Sequence, residues 1–543
     1  MKFELPNIPE SQTTPVVKGL LVLIEQLIEH TQKQQEDIDV LKDEIKVLKG
    51  QKKRPVFKAS KLDKSTDVDK ESDDLAENDE IKKTKKSKET RRNKKNLPIH
   101  RSEPIKPDNI PKGSRFKGYQ DFVVQELVIH NENICYQLER WLTPEGKLIT
   151  GKLPASLENR HYGPNLVSYL LYQHHHCQVT QPLLLEQLRE WGIIISSGQV
   201  NRLLSEGKER FHDEKEELLH VGLTHSDYVT VDDSGARHKG KNGYVTHIGN
   251  DFFAWFSSTS SKSRVNFLTL LNRKQCNYRL DKNALAYMEQ YKLPKASFAL
   301  LSGSTVREFP TNDAWLAHLN TLNIHSLRHQ RIATEGALMG ALMYGSSIEQ
   351  LAIISDGAGQ FNILQHGLCW VHAERLIHTL LPMNESHKLA VEGVREQIWG
   401  LYRELKLYKL TPCAEQAVIL SAQFDAIFQQ KTAYVTLNQS LKRLYKLKDK
   451  LLLVLKRPEI PIHTNGSEGD IRDYVKKRKV SGGTRSDLGQ QCRDTFASLK
   501  KTCRKIGISF WEYLHDRHHE RKLPTLSEIV KLRLYGVCPA TSL

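Results

Sequence analysis

The residues that could do chemistry in this chain are acids placed where hydrophobic runs stop. Asp232 and Asp233 close the β-branched and aromatic run Tyr228-Val229-Thr230-Val231 and are followed by Ser234-Gly235. Asp356 closes the run from Gln350 to Ser355 and is followed by Gly357. Both patterns predict a strand that delivers a carboxylate to its own end, where a turn begins. The second run is continuous rather than alternating, as for a strand buried on both faces. Glu468 stands at the start of a helix opened by the turn Pro461 to Gly466, with Arg472 and Lys479 on the same side and Ile471 and Val475 forming an apolar edge. Carboxylate oxygens are hard ligands that hold Mg²⁺ or Mn²⁺ while leaving room for water and phosphate oxygens. Two such ions about 4 Å apart activate the attacking oxygen and stabilise the leaving one in phosphoryl chemistry. Alone, the Glu468–Arg472 spacing would be a surface ion pair worth about 0.3 kcal/mol. The acids at two strand ends give it a different meaning.

Two further clusters carry metal-ligand residue types. Cys369 and His372 have a chelating spacing, but no second pair lies nearby, so the spacing predicts a packing cysteine with His372 facing the acids or a nucleic acid. His174-His175-His176-Cys177 puts adjacent imidazoles in different directions on a helix, which suits a partly buried structural cluster rather than a zinc site.

The elements that position these residues can be read along the chain. Tyr244 to Ile248 and Phe252 to Phe256 are strands joined by Gly249-Asn250-Asp251 and adjoin the first acidic strand. Gly367 to His372 reads as the strand after Asp356, with a helix from Ala373. We expect the first part of an α/β catalytic core over residues 223–378, a helical insertion over 379–458, the closing part with Glu468 over 459–510, and a C-terminal tail over 511–543. Upstream, Gln181 to Arg189 and a second helix through Leu204, capped by Ser196 or Ser197, flank a turn at Trp191-Gly192. Leu184, Leu185 and Leu188 face Val200, Leu203 and Leu204, leaving Gln199, Asn201 and Arg202 outward. This is the form of a helix-turn-helix, within a helical DNA-binding segment over 156–222. Residues 113–155 read as a small β module with strands at 122–129, 134–138 and 147–150. A heptad from Val17 to Leu48, with β-branched residues at one position and leucine at the other, predicts a dimerising coiled coil within residues 1–52. Residues 53–112 lose apolar periodicity, carry the basic run Lys82 to Lys95 and predict a disordered charged linker.

Composition narrows the partners. The chain has 543 residues, and Lys plus Arg exceed Asp plus Glu by 80 to 64, a net charge of +16. That excess favours a polyanion, nucleic acid before membrane. Eight cysteines include no CxxC pair, so reduced thiols inside the cell are expected. There is no signal-peptide pattern and no apolar run of the roughly 20 residues a bilayer span needs, which predicts a cytoplasmic protein.

The ordered set Val231-Asp232-Asp233-Ser234-Gly235-Ala236-Arg237, Ile354-Ser355-Asp356-Gly357, Cys369-Trp370-Val371-His372-Ala373-Glu374-Arg375, and Asn465-Gly466-Ser467-Glu468 with Arg472, Arg478 and Lys479 resembles the DDE transposases of bacterial insertion sequences. It is most similar to the insertion sequence sixty-six family, over about residues 110–500. The resemblance implies an RNase H-like mixed-sheet core, an N-terminal coiled coil, a helix-turn-helix, and Mg²⁺- or Mn²⁺-dependent cleavage at terminal inverted repeats followed by attack of the freed 3′-hydroxyl on target DNA. Asp232, Asp356 and Glu468 match the family's catalytic, metal-holding triad position by position. Arg237, His372, Arg472, Arg478 and Lys479 become candidates for DNA contact beside Gln199, Asn201 and Arg202. A homodimer or larger assembly on nucleoid DNA, with possible accessory proteins of the element, follows as the expected context. The sequence departs from the family's pattern where Gly469 replaces an arginine, where Thr464-Asn465 shortens an amide-rich lead, and where the β module holds only Cys135 of a cysteine zinc motif, so no zinc is expected there. The competing expectation is a non-catalytic DNA-binding regulator derived from a transposase.

Overall fold

A computed structural model of the protein describes residues 98–536 apart from 155–156, 158–160, 274, 276, 345–347, 383 and 520–522. The expected coiled coil and most of the expected linker lie outside the described residues. The chain divides into two compact units, residues 1–124 and 125–543. The described part of the first unit, residues 98–124, is exposed and carries no helix or strand.

The second unit is built on a five-stranded mixed sheet. Its strands are β1 (Tyr228–Gly235), β2 (Tyr244–Gly249), β3 (Ala254–Thr259), β4 (Ala352–Ser355) and β5 (Gln365–Leu368), in the order β3-β2-β1-β4-β5. β1 pairs antiparallel with β2, and β2 with β3, whereas β1–β4 and β4–β5 are parallel. The sheet is buried on both sides: Val229, Val231, Ile248, Trp255, Ile353 and Ile354 are each fully inaccessible. That explains the near-continuous apolar run of β4, which has no solvent face to pattern.

Six helices matter for positioning. They are α1 (Gln181–Glu190), α2 (Ser197–Ser205), α3 (Glu209–His225), α4 (Trp370–His378), α5 (Asn465–Ser481) and α6 (Asp487–Lys505). Ser196 caps α2 by accepting from the Gln199 N–H, and Leu184, Leu188, Val200, Leu203 and Leu204 are buried. Between α4 and α5 the helices Glu385–Tyr408, Ala414–Gln429 and Val435–Tyr445 form their own apolar cluster against Ala352, Ile354 and Leu368 of the sheet.

Sheet edges expose unpaired backbone and need cover. Here α6 covers β3 with side chains: Thr502 Oγ1, Ser498 Oγ and Asp494 Oδ2 accept from the N–H groups of Ala254, Phe256 and Ser258 at 3.1, 2.9 and 2.7 Å. Every fourth residue of a helix meets every second residue of a strand, so two periodicities lock together.

Three expectations are corrected. Residues 122–129 and 134–138 form no strands; the pairing in this region is Arg140–Leu142 with Leu148–Thr150, and it is exposed throughout. Their alternation lacks the packed apolar face that a small sheet needs for stability. The segment expected as a C-terminal tail carries helices within its described residues, 511–519 and 523–536. Helices Phe510–His519 and Leu526–Leu534 pack on α3, where buried Glu214 accepts from Arg517 Nη2 at 2.9 Å, Arg517 Nε at 3.0 Å, Tyr513 Oη at 2.8 Å and the Leu526 N–H at 2.9 Å. Third, Trp370 to His372 do not continue β5. The ladder ends at Leu368 and α4 begins, because the Trp370 N–H donates to the Ile462 carbonyl at 3.0 Å and its indole N–H to Leu451 at 2.9 Å.

Candidate active site

The site lies where the parallel half of the sheet stops. β1 and β4 pair from Tyr228–Ala352 to Thr230–Ile354. Asp232 and Asp356 each stand two residues beyond that last pair, so the register sets the two acids level with one another. β1 itself does not end there. On its other side it stays paired with β2 through Gly235–Tyr244, so Asp232 and Asp233 lie inside β1 rather than at its end, while Asp356 follows the last residue of β4. Asp232 is thus held rigidly on one flank and opens onto the missing continuation of β4 on the other. After Asp356 the chain turns through Gly357 at φ +102°, a left-handed conformation that L side chains seldom adopt. The Asp356 Oδ1 accepts from the Ala358 N–H at 2.9 Å, bracing the turn.

Alternation along β1 separates its two acids. Asp233 faces Thr246 and Gln360, whose side chains donate to its two oxygens at 2.5 and 2.9 Å. Burial raises its carboxyl, and these donors oppose the rise. Asp232 lies on the face of Thr230 and His247, the face that carries α5. Ser467 Oγ donates to Thr230 Oγ1 at 2.5 Å in a buried contact, which sets the neighbouring Glu468 beside Asp232. The Asp232 carboxyl is pushed up to about 6, first by burial and further by the negative charges of Asp356, Glu468 and Asp233, while the Asp233 N–H on its Oδ1 at 2.7 Å works the other way. Three carboxylates far apart in sequence therefore feel one another at one sheet end.

Two further links hold Glu468 in register with the strands. The Cys369 N–H donates to the Ser355 carbonyl at 2.9 Å, and the Trp370–Ile462 bond joins that point to the segment entering α5. Asp470, two residues beyond Glu468, is buried with Nε2 of fully buried His247 at 3.1 Å, Lys505 Nζ at 3.0 Å and Lys501 Nζ at 3.5 Å. Although burial opposes it, this company holds Asp470 well below the usual carboxylate range. Asp470, His247, Ser467 and Thr230 were missed at the level of sequence. A buried acid on an otherwise basic helix was the available signal.

The remaining candidates separate into near and remote groups. His372 lies at the site, with Nε2 3.7 Å from Glu468 Oε1. Its imidazole is raised first by Cys369, against burial, with Glu468 adding to the rise. Arg472 Nη2 is 3.6 Å from Glu468 Oε2. Arg478 donates to the Gly235 carbonyl and so ties α5 to the end of β1, while Lys479 is exposed. Arg237 is exposed, and its guanidinium donates to Gly240 at 3.2 Å. On α2, Asn201 and Arg202 are exposed, and Arg202 Nη2 is 2.5 Å from Gln199 Oε1. The histidine run is structural where it is buried: His175 stacks on Phe496 with ring centroids 4.3 Å apart.

Asp232, Asp356 and Glu468 are the residues that could hold a divalent cation. Their donors are hard oxygens, their mutual repulsion calls for a counter-charge, and Glu468 Oε1 is buried with no hydrogen-bond donor on it. Among the described residues no group of three His, Cys, Asp or Glu side chains stands close enough to hold a metal ion as placed, so binding would require the carboxylates to draw together.

Fold and site together define a mixed α/β protein whose central sheet gathers carboxylates at the end of its parallel pairing. The model of the Transposase IS66 family matches residues 336–492, a span that includes Asp356, His372 and Glu468 and leaves Asp232 upstream. The uncharacterized protein y4jO of Sinorhizobium fredii (strain NBRC 101917 / NGR234) is 41% identical over 302 residues, covering 55% of this chain and 94% of that protein. The chain belongs to the Transposase IS66 family.

Proposed function

We propose that the protein is a DDE transposase that binds the terminal inverted repeats of its insertion sequence and catalyses metal-dependent strand cleavage and strand transfer. The observation that carries this reading is the convergence of Asp232, Asp356 and Glu468, expressed in the rise of Asp232 to about 6. The strand order, with three antiparallel strands followed by two parallel ones, supports an RNase H-like core. The exposed polar side of α2 beyond a capped turn supports a helix-turn-helix. Among the described residues no helix is long and apolar enough to cross a membrane, which agrees with work on DNA in the cytoplasm.

In this reading Asp232, Asp356 and Glu468 hold Mg²⁺ or Mn²⁺, which when bound supplies Lewis-acid activation of the attacking oxygen and neutralises charge on the leaving one. Cleavage is attack of water on phosphorus with departure of the 3′-oxygen, which leaves with a proton as the 3′-hydroxyl. Joining is attack of that hydroxyl on a target phosphorus in the same site, with departure of the target strand's own 3′-oxygen, which takes up the proton the attacking hydroxyl gives up. The chain's residues contribute position: the Gly357 turn aims Asp356, the Ser467–Thr230 contact aims Glu468, and His372 holds the Glu468 carboxylate from the side of α4. Arg472, Lys479 and Arg237 bind DNA phosphates, which fixes the strand without reading its sequence. Gln199, Asn201 and Arg202 read the terminal repeat, and the heptad helix over residues 17–48 pairs two chains on paired ends.

The test is incubation of the full-length protein with duplexes carrying the element's ends and Mg²⁺ or Mn²⁺. Nicking and joining are expected, both lost in Asp232→Asn with end binding retained. End binding without any chemistry in the wild type would overturn the enzyme and leave a DNA-binding regulator.

A further inference from the structure

Away from the carboxylate site, α5 and α6 enclose a cation cluster whose charges do not balance. The acids there are already taken. Asp473 Oδ2 lies 2.5 Å from Lys501 Nζ, and Asp470 is held by Lys505 and Lys501. Asp470, Asp473 and Lys501 line one small cavity of about 20 Å³ together with Lys477, Arg493 and Lys500, and among the described residues none of these last three has a carboxylate at ion-pair distance. Lys477 Nζ donates to the His174 carbonyl at 2.6 Å and stands 3.4 Å from His174 Nδ1, and Lys500 Nζ donates to the His175 carbonyl at 3.3 Å, so each ammonium meets only neutral groups at hydrogen-bond distance. Arg493 is 7% exposed, its guanidinium carbon 4.9 Å from the centroid of the Tyr474 ring. Its Nε and Nη2 are buried and make no hydrogen bond. His175 Nε2, on the same wall, is buried and unpartnered as well.

Buried donors are nearly always satisfied, and an unpaired buried charge is among the costliest features a fold can keep. Here the unsatisfied N–H groups of Arg493 and the unpartnered imidazole nitrogen of His175 lie around one space. The crowding registers in Lys477, whose ammonium is pushed down to about 7, first by burial and then by Lys500 and Arg493. A cavity of this size takes one particle of water or halide size, and a polyatomic oxyanion is too large for it. Water cannot answer the charge. A single anion can accept from Arg493 and His175 while sitting against the two lysines.

We infer that the cavity between α5 and α6 is a binding site for one small inorganic anion of the halide class, held by Arg493, Lys477, Lys500 and His175. The site bridges the helix that carries Glu468 to the helix that covers the sheet edge, so its occupancy stiffens the frame of the carboxylate site. It stands independently of the strand-transfer reading, because it concerns charge balance and not the acids.

The experiment is thermal unfolding of the full-length protein at pH 6.0, where Lys477 is charged, and constant ionic strength, with gluconate replaced stepwise by chloride. A saturable rise in Tm with chloride is expected, as for any ligand that binds only the folded state. Arg493→Met and Lys477→Met each remove one of the three cations without an ion-pair partner, and both should lose the chloride response while melting no lower than the wild type in gluconate. A wild-type Tm that does not respond to the exchange, or variants that respond as the wild type does, would overturn the site. Crystals soaked in bromide provide a second reading: an anomalous peak within hydrogen-bond distance of Arg493 is expected, and its absence there refutes the proposal even if Tm responds. Inorganic phosphate that competes with chloride at this position would refute the halide-size assignment.

Discussion

Replacing Asp232 with asparagine should make the protein more stable at neutral pH while abolishing the proposed strand cleavage and transfer. The carboxyl rises from its ordinary 3.8 to about 6 in the folded chain, a difference of about 2 units. At about 1.36 kcal/mol per unit this is about 3 kcal/mol of strain. An acid whose folded pKa is raised contributes stability that is fully present below its unfolded value and lost as pH rises through the folded one. At pH 7.5 the wild type therefore bears the whole penalty, and Asp232→Asn bears none of it. The amide oxygen still accepts from the Asp233 N–H, so the strand keeps its local bond. Equilibrium urea denaturation should give the variant about 3 kcal/mol more stability at pH 7.5, falling to about 0.5 kcal/mol at pH 4 by the same linkage. Adding Mn²⁺ at pH 7.5 should close the gap from the wild-type side, since a cation relieves only the chain that keeps the charge. No gain at pH 7.5, or an equal gain at both pH values, would refute the argument that burial and like charge dominate this residue.

Other perturbations probe the frame. Asp470→Asn leaves Lys505, Lys501 and His247 facing an uncharged group in a buried place, and should cost about 3–5 kcal/mol by denaturation at pH 7. Because the Asp470 carboxyl is depressed, its stabilisation is present above 3.8 and lost as pH falls through its lowered value, so the wild-type advantage should shrink in acid. Ser498→Ala strips the acceptor from the buried Phe256 N–H and should cost about 1–3 kcal/mol, with faster amide exchange along β3 as the local signature. Arg517→Met leaves Glu214 buried and uncompensated, and should cost about 3–5 kcal/mol, read out as early proteolysis of the C-terminal helices.

Much of the site was legible in the residues. The β-branched run before Asp232, the continuous apolar run before Asp356 and the turn before Glu468 predicted strand, strand and helix, and all three elements formed. The period of two along a strand also separated Asp232 from Asp233, since neighbouring side chains must point to opposite faces. What misled was local pattern without a partner. The runs at 122–129 and 134–138 alternate as strands do, yet no apolar face covers them. Trp370 to His372 read as strand because hydrophobicity cannot tell a buried strand end from a buried helix start. Its N–H partner, Ile462, lies in a segment 92 residues away by subtraction of 370 from 462.

The sequence by itself determined the strands and helix that carry Asp232, Asp356 and Glu468, and the net charge of +16, because propensity, periodicity and composition are local or additive. Tertiary structure alone decided which groups meet. It set Asp356 level with Asp232 through a parallel register, brought Glu468 to them through Ser467 and Thr230, and raised the Asp232 carboxyl by burial and shared charge. It also covered the β3 edge with Ser498 and Thr502, and buried Nε and Nη2 of Arg493 beside Lys477 and Lys500 without a hydrogen-bond partner. Each of these depends on distance and desolvation between residues far apart in the chain, and no single stretch of sequence carries that information.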